Sequence, residues 1–207
     1  MKILLLFFVV GLAAWTDASA DSLPASSRDW LRKHRVIVAA TYAEGYAPFE
    51  RVREGRVDGL ATGYLRRLAD DLGIGVCFRV YPDWPSAMAA ARSGEVDLLM
   101  DVAPTPERNG KLLIGAPYYE SPPAVALRRD DARIARFDDL RNARLATQAG
   151  HAEDDAVRRY LPDAHVLDVP TVAAALRELD HGAVDAVIGD PHALDTAILA
   201  AGLADRV

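Results

Sequence analysis

Two hydrophobic periods alternate along this chain. Residues 36–40 form a short, continuous apolar run, which predicts a buried strand. A Gly- and Pro-containing stretch follows over 44–59. Leu60, Tyr64, Leu65, Leu68 and Leu72 then recur at helical spacing, and Gly73 supplies a stop. Residues 75–81 predict a strand, 84–93 an Ala-rich helix stopped by Gly94, and 96–100 a second buried strand. The alternation restarts at Ala124. Strands are predicted over 124–127, 145–147, 165–169 and 184–189, and helices over 151–160, 171–179 and 191–201, with a short helical turn at 137–140. Pro162 ends one of these helices, and Asp190-Pro191 offers an N-cap followed by a first-turn proline.

Strands alternating with helices at this spacing predict βαβ units and mostly parallel sheets. A weak internal repeat supports two similar halves. An Ala-rich helix ends at Gly94 before Val96-Asp97, and another ends at Gly182 before Val184-Asp185. Residues 118–123 (Tyr-Tyr-Glu-Ser-Pro-Pro) make a natural extended crossover. The expectation is a two-lobed α/β clamshell that holds a ligand at the C-terminal ends of its strands and closes by a hinge.

The first 20 residues have another character. Lys2, an apolar run over 3–14 and Ala18-Ser19-Ala20 read as a secretory signal peptide. That run is too short for a comfortable membrane span. Residues 21–29 look like a polar leader, 30–120 like lobe 1 and 121–207 like lobe 2. The product is expected in a periplasm. A net charge of −6 gives no case for nucleic acid, and one cysteine excludes an internal disulfide framework.

No catalytic signature, phosphate loop or dinucleotide fingerprint is present. His34, His151, His165, His181 and His192 lack metal-ligand spacing and read as surface or capping residues. Cys77, inside a strand, reads as a small core residue. No cofactor or metal is expected.

Several segments then become specific together. They are Tyr46-Ala47-Pro48-Phe49, Gly55, Gly59, Trp84, Gly94-Glu95-Val96-Asp97, Thr105-Pro106-Glu107-Arg108 and Pro117-Tyr118. Asp138-Asp139-Leu140, Gly150, Ala174-Ala175-Leu176, Gly182, Val184-Asp185-Ala186 and Asp190 follow in the second half. In this order the chain resembles bacterial extracellular solute-binding proteins of family 3, the polar-amino-acid-binding clamshells. Gly150-His151-Ala152, residues 159–162 and Asp83-Trp84 resemble the periplasmic Venus-flytrap domains of Bvg-type sensor kinases.

The resemblance implies a binding protein, not an enzyme, with a small amino-acid-like or carboxylate ligand. Its partner would be a membrane permease of ABC type or a sensor-kinase module. Arg108 matches the carboxylate-binding arginine, whose planar fork suits a carboxylate. Asp190 matches the ammonium-binding acid and also fits a helix cap. Gly150 and the His151 backbone N–H begin a helix, whose positive end favours an anion. Tyr46 and Trp84 match aromatic positions that sandwich the ligand.

Two departures stand out. Asp101 and Ala103 replace the usual hydroxyl residues, and Asp101 is expected to neutralise Arg108. The chain also stops at Val207, where the family normally returns to lobe 1 with a strand and helices. Lobe 1 is therefore expected to be incomplete, with a sheet gap and exposed apolar surface, as a fragment of a longer chain or a truncated, even non-functional, product. One rival is a cyclohexadienyl-dehydratase-like enzyme, with Glu44, Asp101 or Glu120 as its general acid.

Overall fold

A computed structural model describes residues 23–207, and the expected signal peptide lies outside the described residues. Two sheets divide the chain. The first is three parallel strands in the order β4 (Gly75–Tyr81), β1 (Val36–Tyr42), β5 (Leu98–Leu99). Ala39 and Ala40 in β1 are small because helices cover both faces. One face meets α2 (Leu60–Leu72) through Ala61 and Leu65, and the other meets α3 (Trp84–Ser93) through Ala87 and Ala90. Gly73 ends α2 at φ +65° and Gly94 ends α3 at φ +74°, conformations that cost a residue without Cβ little.

The second sheet runs β6 (Ala124–Leu127), β9 (Ala186–Gly189), β7 (Arg144–Gln148), β8 (His165–Val169). β7 is parallel to both neighbours, but β6 is antiparallel to β9, so this sheet is mixed. Helices α5 (Val172–Asp180) and α6 (Pro191–Ala200) cover one face with Leu176, Leu179 and Leu194. Helix α4 (Ala152–Tyr160) packs Val157 on the other, beside Leu145 and Leu161.

The internal repeat has a physical meaning. Asp97 donates its backbone N–H to Val38 O (2.9 Å) and accepts the Val38 N–H on Oδ2 (2.8 Å). Asp185 does the same to Arg144, at 2.7 and 3.0 Å. In each half, one aspartate ties the incoming strand to the start of the central strand.

Within and beyond the expected polar leader, residues 25–33 form a surface helix, α1 (Ala25–Lys33). Three expectations are corrected. The stretch over 44–59 contains a hairpin, β2 (Arg51–Arg53) and β3 (Arg56–Asp58), turned by Glu54 and Gly55, both at positive φ. The strand expected over 96–100 pairs only at Leu98–Leu99. Cys77 is exposed, because it lies on the face of edge strand β4 opposite Val76 and Phe78, which face the α2 core. Among the described strands, β5 pairs only with β1, and Leu60, Tyr64, Leu68 and Val80 are exposed.

Candidate ligand-binding cleft

The C-terminal ends of β1, β5, β7 and β9 carry Tyr42, Asp101, Gln148 and Asp190 close by. The loop after β1 is folded back by two glycines. A Cβ on Gly59, at φ +129°, would stand 2.1 Å from Phe49 O, and one on Gly45 would stand 2.6 Å from Glu50 O. This close approach pushes Glu50 inside, where it is 2% exposed and accepts the Thr41 hydroxyl. Burial pushes its carboxyl up to about 8. Asp101 faces it, is raised by the same cause, and accepts the Tyr118 hydroxyl. Asp101 adopts φ +53°, unusual for a residue with a side chain.

Across the cleft stands His151. Its ring centroid lies 4.9 Å from Tyr46, 5.2 Å from Trp84 and 6.3 Å from Tyr42. Burial, with the Arg108 charge second, pushes His151 down to about 3, so its imidazole is neutral.

The halves meet on one carbonyl. Arg108 donates to Gly150 O (2.9 Å) and Ala103 O (2.8 Å), and Trp84 Nε1 donates to the same Gly150 O (3.0 Å). Gln148 donates to Tyr42 Oη (3.2 Å), Thr105 donates to Asp155 (3.3 Å), and Arg159 pairs with Glu107. The two lobes are therefore closed on one another.

The model of bacterial extracellular solute-binding proteins, family 3, matches residues 37–163. The chain belongs to this family. Among family relatives, the virulence sensor protein BvgS of Bordetella pertussis is 30% identical over 182 residues, 88% of this chain and 14% of BvgS. The probable ABC transporter extracellular-binding protein YckB of Bacillus subtilis is 26% identical over 200 residues, 94% of this chain and 69% of YckB. The periplasmic VFT2 domain of BvgS shares the fold at a TM-score of 0.78 and 21% identity, over 89% of this chain and 78% of that one. Family 3 thus includes binding proteins and sensor domains alike, and the α/β clamshell is its architecture. Among the described residues no helix is long and apolar enough to cross a membrane.

Within this family 3 fold, the expected site residues gather around the strand ends, with three differences in detail. Arg108 is 3% exposed and spent on two carbonyls, and Asp101 does not neutralise it. The first backbone N–H groups around α4 are also taken: Gly150 N–H by Asp154 (3.3 Å) and His151 N–H by Gln148 O (3.1 Å). His151 stands half-buried at the N-cap position of α4 with its ring in the cleft and not on the surface, and its side chain makes no cap. Asp190 caps α6 with Oδ1, accepting from His192 and Ala193, while Oδ2 meets the Tyr119 hydroxyl at 3.5 Å. Glu44 and Glu120 are exposed.

Sequence reasoning missed Glu50, Tyr42, Gln148, Glu153 and Tyr118. For Glu50 a signal exists, an acid directly after Tyr46-Ala47-Pro48-Phe49 in a loop bounded by Gly45 and Gly59.

Proposed function

We propose that the chain is a periplasmic ligand-capture domain that closes its two lobes on a small, amino-acid-like solute and performs no chemistry on it. Its export would use the N-terminal signal peptide, and its lobes would divide near residue 120. The convergence of Arg108 and Trp84 on Gly150 O carries the reading, because this contact joins cleft residues of both lobes. Closure is the natural output of such a device. We assign that output to signalling: the 30% identity to BvgS over most of this chain favours a sensory input domain. Delivery to an ABC permease is the second reading, favoured by the 94% coverage against YckB. Cross-linking in the native host separates the two by capturing a histidine kinase or a permease.

A dehydratase reading finds little in the cleft. Of its candidate acids, Glu44 and Glu120 are exposed and Asp101 is engaged by Tyr118. Thermal unfolding against amino acids, their decarboxylated amines and small carboxylates tests capture. A ligand at 100 times its Kd stabilises by about 2.7 kcal/mol. Failure of the whole panel to raise the midpoint would remove the reading.

A further inference from the structure

The cleft has too many acceptors and too little free positive charge. Four carboxyls lie in sequence across it, each close enough to feel the next: Glu50 and Asp101, Asp101 and Asp190, Asp190 and Glu153. They come from the loop after β1, the end of β5, the end of β9 and the first turn of α4. Arg108 is the cation near them, and both of its bonds go to backbone carbonyls.

A second observation is independent of these charges. Among the described residues, three buried side-chain atoms have no hydrogen-bond partner: Asp101 Oδ2, Gln148 Oε1 and His151 Nε2. All three residues belong to the cleft. Gln148 is only 7% exposed, and its orientation is fixed because its amide nitrogen must face Pro170 O, at 2.9 Å. Its free atom is therefore an acceptor. Asp101 Oδ2 is an acceptor that the protonated Glu50 carboxyl faces, and neutral His151 offers an unserved one in the tautomer protonated on Nδ1. Buried acceptors without donors are costly, and a ligand rich in N–H groups would satisfy them.

The groups that would hold a carboxylate are meanwhile occupied from within. Arg108 is spent, the Gly150 and His151 N–H groups are capped, and Glu153, Asp154 and Asp155 crowd the same helix start. A ligand carboxylate brought to Arg108 would meet two acids, Glu153 and Asp155. A metal ion is a poor occupant, since among the described residues no three His, Cys, Asp or Glu side chains are placed to hold one. His151 packs against the Tyr46 and Trp84 rings, and an organic cation that displaces it would meet the same ring faces.

We infer that the cleft selects a small organic cation bearing several N–H donors and no carboxylate, held by Asp101, Asp190 and Gln148 against the Tyr46 and Trp84 rings. The inference rests on the capture reading above and narrows its ligand.

Matched pairs test it. Calorimetric titration of the purified chain with agmatine against arginine, and putrescine against ornithine, varies only the carboxylate. The expected result is binding of an amine at least about tenfold tighter than its amino acid, weakened about tenfold or more in Asp101→Asn. The thermal midpoint of that variant shows that it folds. Glu50→Gln is the companion variant should Asp101→Asn not fold. An amino acid binding as tightly as its amine overturns the inference and leaves the capture reading standing. Amine binding undiminished in the folded variants is unspecific attraction to an acidic chain, and it also overturns the inference. No binding by either class removes both.

Discussion

Asp185 and the Glu50–Asp101 pair sit at opposite ends of the strands under opposite electrostatics. Asp185 accepts the Arg144 backbone N–H and both arms of its guanidinium (3.0 and 2.8 Å), with Arg133 at 3.0 Å. The hydrogen bonds from Arg144, with those from Arg133 behind them, hold its carboxyl well below the usual range. Glu50 and Asp101 have hydroxyl donors and each other, and burial pushes both upward. An acid that ties strands together is surrounded by cations where the strands start. Acids without cations stand where the strands end, inside the cleft. Folding alone has no use for the second arrangement, so its cost points to a ligand or a proton.

The largest effect expected from this contrast is on stability against pH. Glu50 has a folded pKa near 8, above its unfolded value, so the native state holds a proton that the unfolded chain has lost. Stability therefore falls as pH rises from the ordinary carboxylate range to about 8 and levels off beyond. Thr41, Tyr118, Tyr42 and Asp190 face the pair, and none of them is a cation to oppose the fall. The loss is on the order of 3 kcal/mol. Thermal midpoints from pH 5 to 9 should show it in the wild type and lose most of it in Glu50→Gln. A flat wild-type profile would show that the pair is not a protonated, uncompensated site.

At the other end, substitution removes support instead of repulsion. Asp185→Asn should cost about 2 kcal/mol in urea unfolding, because it weakens hydrogen bonds to charged arginines. Arg144 and Arg133 remain half exposed, which keeps the cost modest. Asp97→Asn keeps an amide oxygen for the Val38 N–H and weakens only that backbone bond, so it should cost less than about 1 kcal/mol. Equal costs at the two positions would mean that the arginines contribute nothing.

Ligand binding should run the opposite way with pH. An amine entering beside Asp101 displaces the proton on Glu50, so its affinity should rise by up to about tenfold per pH unit below about 8 and level off above. A carboxylate ligand would show no such rise. Titrations at pH 6, 7, 8 and 9 separate the two.

Much of the fold is legible in the sequence where glycine punctuates a strong period. Helices α2 and α3 lie where the leucine and alanine spacing put them, because Gly73 and Gly94 terminate each in a left-handed turn. The β2–β3 hairpin is hidden because its strands are arginine-rich and only Val57 is buried. Helix α1 buries none of its residues, and its opening serines read along the chain as a polar leader. In the cleft, Tyr46, Trp84, Arg108 and Asp190 are recognisable from motif. Glu50 is not, because its burial comes from two glycines that bring distant backbone onto it. Which acceptors Arg108 serves is likewise invisible along the chain, since both are backbone carbonyls of other residues.

The smallest predicted effect separates closing from folding. Thr105 donates its hydroxyl across the cleft to Asp155 at 3.3 Å, a long bond. Thr105→Val keeps the shape and removes the donor. Asp155 keeps access to water, so the cost should be about 0.5 kcal/mol. Because the bond joins the two halves, that cost should fall on closure. Amide exchange around Gly150, whose carbonyl receives Arg108 and Trp84, should quicken severalfold while the unfolding midpoint stays within a degree or so. An unchanged exchange rate with a lowered midpoint would place this contact in the support of the fold, with the strand-starting aspartates, and not in the closing cleft.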